Sequence, residues 1–505
     1  MQINVVKNAK RNMLFGSVNR VVVLLIPFIK RLIVRNALGS QYLGLGSLFQ
    51  SVIQVLSLSE LGFSAAMVYN MYKPAAEGNV AKMNALLNFY RRAYSIIGVV
   101  ILGVGLCIIP FLPRLIKGTY PEDINLTTLY LIYLVNTAIS YFLFAYKSSL
   151  LVVHQRDDVN SAINTLLSVG LTGCQIAVLL ITKNYYLFSL LMPLFTIANN
   201  LLIGWRTKSL FPQYKAEGEL EKEDKVVIKK IVAGTFTQHA CGVTRNGLDS
   251  IYISAFLGLS LTAIYNNYYM ILTGIMSFIG IYTVAFTGGI GNHVANKSVE
   301  ENFQEMKKLD FVYLWISGWC TICLLCLYQP FMEIWMGKDM MLPMSAVVLF
   351  CMYFYLLKLC DVRYLYTSAN GLWWQHRYRT LTETVLNLVL NITLGKYFGV
   401  HGIMLATMIS LFTCSYVWST RILFKNYFSL SRMKHYYQYQ GKETLVMIVT
   451  AAVTYTICRG ISIQGFQQLI IRAMICLTVP NVIYFLVFRK TEQFQYVKKL
   501  LAKRN

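Results

Sequence analysis

The sequence predicts an all-α integral membrane protein of about fourteen transmembrane helices. Three observations predict it. Of 505 residues, 56% are hydrophobic and 13% charged, where a soluble domain carries about 25% charged residues; mean hydropathy is +0.51. Apolar windows of about 20 residues recur along the whole chain. Lys and Arg collect in alternate connections between those windows. The formal net charge of +24 therefore reads as membrane topology, and no nucleic-acid partner is expected.

The windows fall at 12–35, 44–70, 88–113, 124–150, 160–182, 185–206, 230–257, 261–289, 309–331, 342–368, 378–398, 401–424, 443–460 and 466–488. Lipid offers backbone groups no partner, so apolar runs of this length are helices, and strand alternation is absent. The first window ends in Arg31 and Arg35 and lacks a small-residue cleavage site, so it is expected to stay as the first helix. An even count puts both termini on one face. Lys7, Lys10 and Arg11, later Arg91, Arg92, Lys307, Lys308, Arg377 and Arg379, and finally Lys498, Lys499, Lys503 and Arg504 mark that face as cytoplasmic.

Between the sixth and seventh windows, "RTKSLFPQYKAEGELEKEDKVVIKK" (206–230) reads as a solvated linker. The chain also repeats itself. "NALGSQYLGLGSLFQ" (36–50) aligns loosely with "AFLGLSLTAIYNNYY" (255–269), and "IPFLPRLIKG" (109–118) with "QPFMEIWMG" (329–337), each displaced by about 219 residues. The expected organisation is two pseudo-symmetric six-helix bundles, at 1–206 and 230–424. A cytoplasmic linker at 207–229 joins them, and two additional helices with a basic cytoplasmic tail occupy 425–505.

Enzymatic equipment is missing. No phosphate loop, D-x-D or H-E-x-x-H motif occurs, and Asp157 and Asp158 read as exposed groups in a short turn. The expectation is a transporter with no cofactor and no resident metal. Cys320, Cys323 and Cys326 in "CTICLLC" have apolar flanks, which favours small thiols packed between helices over metal ligation.

What remains is charge inside helices, expensive in lipid and so a marker of function. In the first window Arg20, Leu24, Pro27, Arg31 and Arg35 share one stripe; Arg31 either snorkels to headgroups or faces a cavity. In the seventh, Thr235, Gln238, Gly242, Arg245, Asp249 and Tyr252 form a second stripe, with Arg245 and Asp249 either a structural pair or the wall of a wet cavity. Glu60 in the second window and Asp361 in the tenth are candidate cation-coupling carboxylates, although Lys358 can pair with Asp361 locally.

Two stretches, "LGSQYLGLGSLFQSVIQVLSLSELGFSAAMVYNMYKPAAEGNVAKMNALLNFYRRAY" (38–94) and "ANGLWWQHRYRTLTETVLNLVLNITLGKYFGVHGIMLATMIS" (369–410), resemble the Wzx-type polysaccharide flippases. These belong to the multidrug/oligosaccharidyl-lipid/polysaccharide (MOP) exporter superfamily, and the similarity runs along nearly the whole chain. The resemblance implies a MATE-like fold, two six-helix bundles forming a V around a central cavity with two trailing helices, in the bacterial inner membrane. It implies a cargo of undecaprenyl-pyrophosphate-linked oligosaccharide repeat units, destined for O-antigen (lipopolysaccharide), capsule or exopolysaccharide. It also implies a cationic cavity, with charged residues on helices one, two, seven, eight and ten. Arg20, Arg31, Glu60, Arg245, Asp249 and Asp361 occupy comparable helices, while the eighth window carries no charge, a departure from the family's pattern.

Arg20, Arg31, Gln238, Arg245, Asp249 and Tyr252 are accordingly the expected cargo-binding residues, with Arg31 and Arg245 holding the pyrophosphate from opposite bundles. Glu60 and Asp361 are the expected sites of H⁺ or Na⁺ coupling. Expected partners are the lipid-linked oligosaccharide, membrane lipids, and a polymerase and chain-length regulator of the same pathway. The alternatives are a lipid II flippase or a MATE-like cation-coupled exporter of small molecules. From another class comes a membrane-embedded polymerase or ligase, which the short outer connections disfavour.

Overall fold

The computed structural model describes residues 5–60, 62–461 and 463–502, all helices and their connections, with no strand among them. All fourteen windows fall on helices. Seven described helices are individually long and apolar enough to cross a bilayer, and Leu126–Phe142 with Phe144–Val153, bent by 48°, makes an eighth span. The chain is a multi-pass membrane protein. Contacts divide it into two compact units, Met1–Ala263 and Ile264–Asn505.

The first unit contains α1 (Val5–Leu38), α2 (Ser40–Leu56), α3 (Phe63–Ala76), α4 (Val80–Ile108), α5 (Leu126–Phe142), α6 (Ser148–Val153), α7 (Asp157–Thr182), α8 (Tyr185–Leu210) and α9 (Lys222–Leu257). The division falls after Ala263 and not within the linker, because α9 packs along α2. Two glycines permit the close approach. A Cβ on Gly247 would stand 2.9 Å from Val55 Cγ2, and one on Gly44 would stand 2.6 Å from the Leu259 carbonyl carbon.

One sequence reading changes here. Asp158 is buried, not exposed. The start of α1 lies over the first turn of α7, where Asp158 takes Arg11 at 2.8 Å and Arg156 at 3.1 Å, while its backbone N–H donates to Asn12 Oδ1 at 2.8 Å. The linker is mostly exposed, as expected, yet it is also tied to α4. Asn88 Nδ2 donates to the Gly218 carbonyl at 2.7 Å, the Lys215 N–H donates to Asn84 Oδ1 at 2.8 Å, and Lys82 pairs with Asp224 at 2.9 Å. Phe211 and Leu220 are buried, and His154 stacks on Phe211 with ring centroids 4.5 Å apart.

The second unit holds most of α10 (Leu259–Asn296), followed by α11 (Val299–Met336), α12 (Met344–Ala369), α13 (Arg377–Ser410), α14 (Ser419–Leu423), α15 (Met433–Arg459), α16 (Phe466–Phe488) and α17 (Glu492–Ala502). Gly399 (φ 58, ψ −134) turns the chain inside α13, separating the eleventh and twelfth windows with almost no loop. Beyond Ser410 the helix continues through π turns at Leu411–Trp418 and Phe424–Phe428.

α11 is the axis of this unit, packing on α12, α15, α16 and α17. Trp315 donates to Asn481 Oδ1 at 2.9 Å and Trp319 to the Cys476 carbonyl at 2.8 Å, so both indoles are satisfied while gripping α16. The sulfurs of Cys326, Cys458 and Cys476 lie within 4.8 Å of one another among Phe311, Ile322, Tyr484 and Phe488.

The internal repeat is visible in the backbone. Gly39 (φ 104, ψ 179) joins α1 to α2 and Gly258 (φ 96, ψ 172) joins α9 to α10 in the same conformation, 219 residues apart. Gly118 and Gly337, at φ 84 and 81, are separated by the same 219. On that spacing Asp249 corresponds to Lys30 and Arg245 to Ile26, so the two polar stripes correspond as helices and not residue by residue.

Candidate functional site

The second window is not one continuous helix. Ser57 Oγ bonds back to the Ile53 carbonyl at 3.0 Å, a short 3₁₀ turn spans Ser57–Glu60, and Gly62 adopts φ 81 before α3 begins. A helix broken inside a membrane protein presents side chains and backbone to whatever fills the break. Here it presents Glu60. Tyr94 of α4 donates to Glu60 Oε1 at 2.6 Å and Tyr141 of α5 donates to Oε2 at 2.7 Å, with Tyr90 donating to the Tyr94 hydroxyl at 3.0 Å.

Glu60 opens onto a cavity of about 530 Å³ inside the first unit. Its polar walls come from α5, α7 and α8 in helical steps: Asn136 and Ser140, Asn164 and Ser168, then Thr196, Asn199 and Asn200. Thr196 Oγ1 donates to Asn136 Oδ1 at 2.8 Å, while Asn199 Oδ1 is buried without a protein partner. Glu60 is the only charged group among the described lining residues. Such a wall offers amides, hydroxyls and aromatic faces, the groups that satisfy a neutral polyhydroxylated ligand.

The six expected cargo-binding residues lie elsewhere in this unit. Arg31 points inward, donating from Nη1 to Ser47 Oγ at 3.2 Å and from Nη2 to the Ala263 carbonyl at 3.1 Å. Arg20 is exposed on α1, Asp249 is buried, and Tyr252 is half-buried and stacked on Phe256 with centroids 5.8 Å apart. Arg245 is half-buried on α9 in the same compact unit as Arg31. Gln238 also belongs to α9, but its side chain lies outside the described residues.

In the second unit Asp361 takes the Lys358 ammonium at 2.7 Å, the local pair that their spacing allowed. Sequence reasoning missed a larger network beside it. Asp310 of α11 accepts from the Tyr436 hydroxyl at 2.5 Å and from Gln440 Nε2 at 3.0 Å. Gln440 Oε1 accepts from Arg363 Nη1 at 3.0 Å and from the Tyr416 hydroxyl at 3.0 Å. Arg363 and Asp310 are each 1% exposed, and the guanidinium lies 4.4 Å from the centroid of the Tyr416 ring.

No protein-family model matches the chain, and no curated protein sequence matches it. Solved structures do match. The lipid II flippase MurJ, in an inward closed conformation, superposes with a TM-score of 0.67 at 13% identity, over 94% of this chain and 99% of that one. An inward-facing MATE multidrug-resistance transporter of the MOP superfamily gives 0.61 at 14% identity, over 82% and 96%. The Vibrio cholerae MATE transporter VcmN gives 0.57 at 12% identity, over 84% and 98%. This chain therefore has the helical fold of the MurJ and MATE transporters, followed over nearly its full length.

Proposed function

We propose that the protein is a flippase carrying undecaprenyl-pyrophosphate-linked oligosaccharide repeat units across the bacterial inner membrane, both termini cytoplasmic, for O-antigen, capsule or related surface polysaccharide. The observation that carries this reading is the cavity of the first unit. Its amide, hydroxyl and tyrosine lining supplies the hydrogen-bonding groups that sugar hydroxyls need. The fold shared with a lipid II flippase supports a lipid-linked cargo, and the resemblance of 38–94 and 369–410 to Wzx-type proteins supports a polysaccharide one.

In this reading Arg31 and Arg245 hold the pyrophosphate, since guanidinium stays charged and binds phosphate through two parallel hydrogen bonds. Arg20, Gln238, Asp249 and Tyr252 complete the polar path for the cargo. Glu60 and Asp361 couple transport to H⁺ or Na⁺, and no cofactor takes part. A polymerase and a chain-length regulator act on the product. The protein is a transporter and not an enzyme.

One observation favours a second reading. Glu60 is the single charge among the described lining residues, as cation-coupled export of a small molecule would require. Proteoliposomes decide between them. The protein should flip a fluorescent undecaprenyl-pyrophosphate oligosaccharide and leave lipid II and ethidium in place. Asn136→Leu with Asn199→Leu should slow that flipping roughly 5- to 160-fold, two hydrogen bonds at about 0.5–1.5 kcal/mol each. Movement of ethidium alone would establish the second reading instead.

A further inference from the structure

A second polar cavity, of about 660 Å³, lies in the other unit between the first turns of α13 and the segment running from Val417 through α14 to Asn426. Its cations are Arg377, Arg421 and Lys425, and no carboxylate is among the described lining residues. These positions occupy the start of the eleventh window and the end of the twelfth, on the face that the Lys/Arg distribution assigns to the cytoplasm. The transport reading uses none of them.

The three cations are differently held. Arg377 is preset: Nη1 donates to the Trp374 carbonyl at 2.7 Å, and the guanidinium lies 4.3 Å and 4.4 Å from the centroids of the Trp374 and Tyr378 rings. One of its five N–H donors is consumed, and the rest are available to an anion. Arg421 and Lys425 are exposed. Their neighbour Arg379 is different again, turned inward onto Glu383 at 2.6 Å and Ser415 at 2.8 Å, so positive charge here is sorted between the helix interior and the cavity.

A second feature identifies the kind of anion. Tyr378, 61% exposed, and Trp418 line the cavity, and Trp374, 72% exposed, lies beside it against Arg377, placed as interfacial aromatic residues are. From the cavity an exposed apolar lane runs along α13 through Leu381, Val385 and Leu388, matched by Val417 and Phe412 on the facing segment. A soluble phosphate has no use for that lane. Acyl chains fill it while the phosphate sits among the cations, as in basic pockets between membrane helices generally.

We propose that this cavity is a binding site for a glycerophospholipid with a net anionic headgroup from the cytoplasmic leaflet. The phosphodiester lies between Arg377 and the Arg421–Lys425 pair, and the chains lie along Leu381 and Val385. The site stands or falls separately from the identity of the cargo, because it depends on no residue assigned to transport.

The test uses the full-length protein in a neutral detergent, titrated with phosphatidylglycerol or phosphatidylcholine and read by native mass spectrometry. Phosphatidylglycerol should bind at least tenfold more tightly than phosphatidylcholine. Near a membrane surface each Lys or Arg contributes about a fivefold factor, so Arg421→Gln with Lys425→Gln should weaken phosphatidylglycerol roughly 25-fold. Lys434→Gln, an exposed cation on the same face outside the cavity, should weaken it less than twofold. Equal affinity for the two lipids, or unchanged phosphatidylglycerol binding by the double variant with an unaltered unfolding midpoint, would overturn the proposal. So would displacement of the lipid by equimolar inorganic pyrophosphate, which would make the site one for a soluble anion.

Discussion

Arg363→Met tests the buried network of the second unit most directly. In the native protein the guanidinium donates to Gln440 Oε1 at 3.0 Å and to the Leu359 carbonyl at 2.8 Å, and Gln440 passes its polarity to Asp310. Removing the guanidinium takes a charged donor from Gln440 Oε1 and from the Leu359 carbonyl and removes the cation that Gln440 links to the Asp310 carboxylate, 1% exposed. Each hydrogen bond from a charged group lost in this way costs about 1.5–3 kcal/mol. Asp310→Asn alone should also destabilise, but the double variant should lose less than the sum, by a coupling of about 0.5–3 kcal/mol. Arg363→Lys should fall between wild type and Arg363→Met, because an ammonium cannot reproduce the planar stack on Tyr416 while reaching both acceptors. The buried thiols Cys326, Cys351, Cys414, Cys458 and Cys476 supply the readout, becoming reactive to a fluorogenic maleimide as the protein unfolds on heating in detergent. Additive losses in midpoint, with the double variant as unstable as the two singles combined, would refute the network as a coupled unit.

Two further outcomes follow from the first unit. His154 stacks on Phe211, and burial holds its imidazole below the usual 6.5. A depressed folded value favours the neutral ring, so docking of the linker should be complete above pH 6.5 and weaken progressively as pH falls from there toward the folded value. Amide exchange in 211–220 should be faster at pH 5.5 than at pH 7.5 after correction for intrinsic rates, and His154→Phe should erase the difference; an unchanged pH response in that variant would remove His154 as the cause. Gly44→Ala should destabilise by about 1–3 kcal/mol or more, since its methyl meets the Leu259 backbone. Gly46→Ala should cost less, because the nearest atoms to its methyl are the hydroxyls of Tyr185 and Tyr133 at 2.8 and 3.2 Å, ends of rotatable side chains. Thermal midpoints in the reverse order would contradict the packing described for α2.

Helix positions were legible because lipid-spanning segments are long, and averaging apolarity over about 20 residues is robust to single polar side chains. The same averaging conceals what matters for the site. The break at Ser57–Gly62 lies inside the 44–70 window, and the bend at Leu143 lies inside 124–150. Glu60 stood out because a carboxylate is conspicuous in an apolar run. Asn136, Asn164 and Asn199 did not, although amides at helical spacing beside Ser140, Ser168 and Thr196 were a readable signal. Asp310 and Arg363 could not be joined from sequence, because Gln440, the residue between them, is 130 positions from Asp310. The burial of Asp158 is hidden from sequence for a similar reason: its partners Arg11 and Asn12 lie some 146 residues earlier.

The packing of α9 on α2 sets a schedule for biogenesis. The face of α2 that carries Gly44, Ser51 and Val55 finds its partner only when Gly247 and Leu259 have been made, about 200 residues later. At a synthesis rate of about 5–20 residues per second that interval is roughly 10–40 s. For that time the first six windows are in or entering the bilayer with this face of α2 exposed to lipid or to the insertion machinery. Translation pauses near the linker lengthen the interval, and a chain truncated before α9 leaves that face open for good. The first unit is therefore incomplete until α9 and the start of α10 have been made.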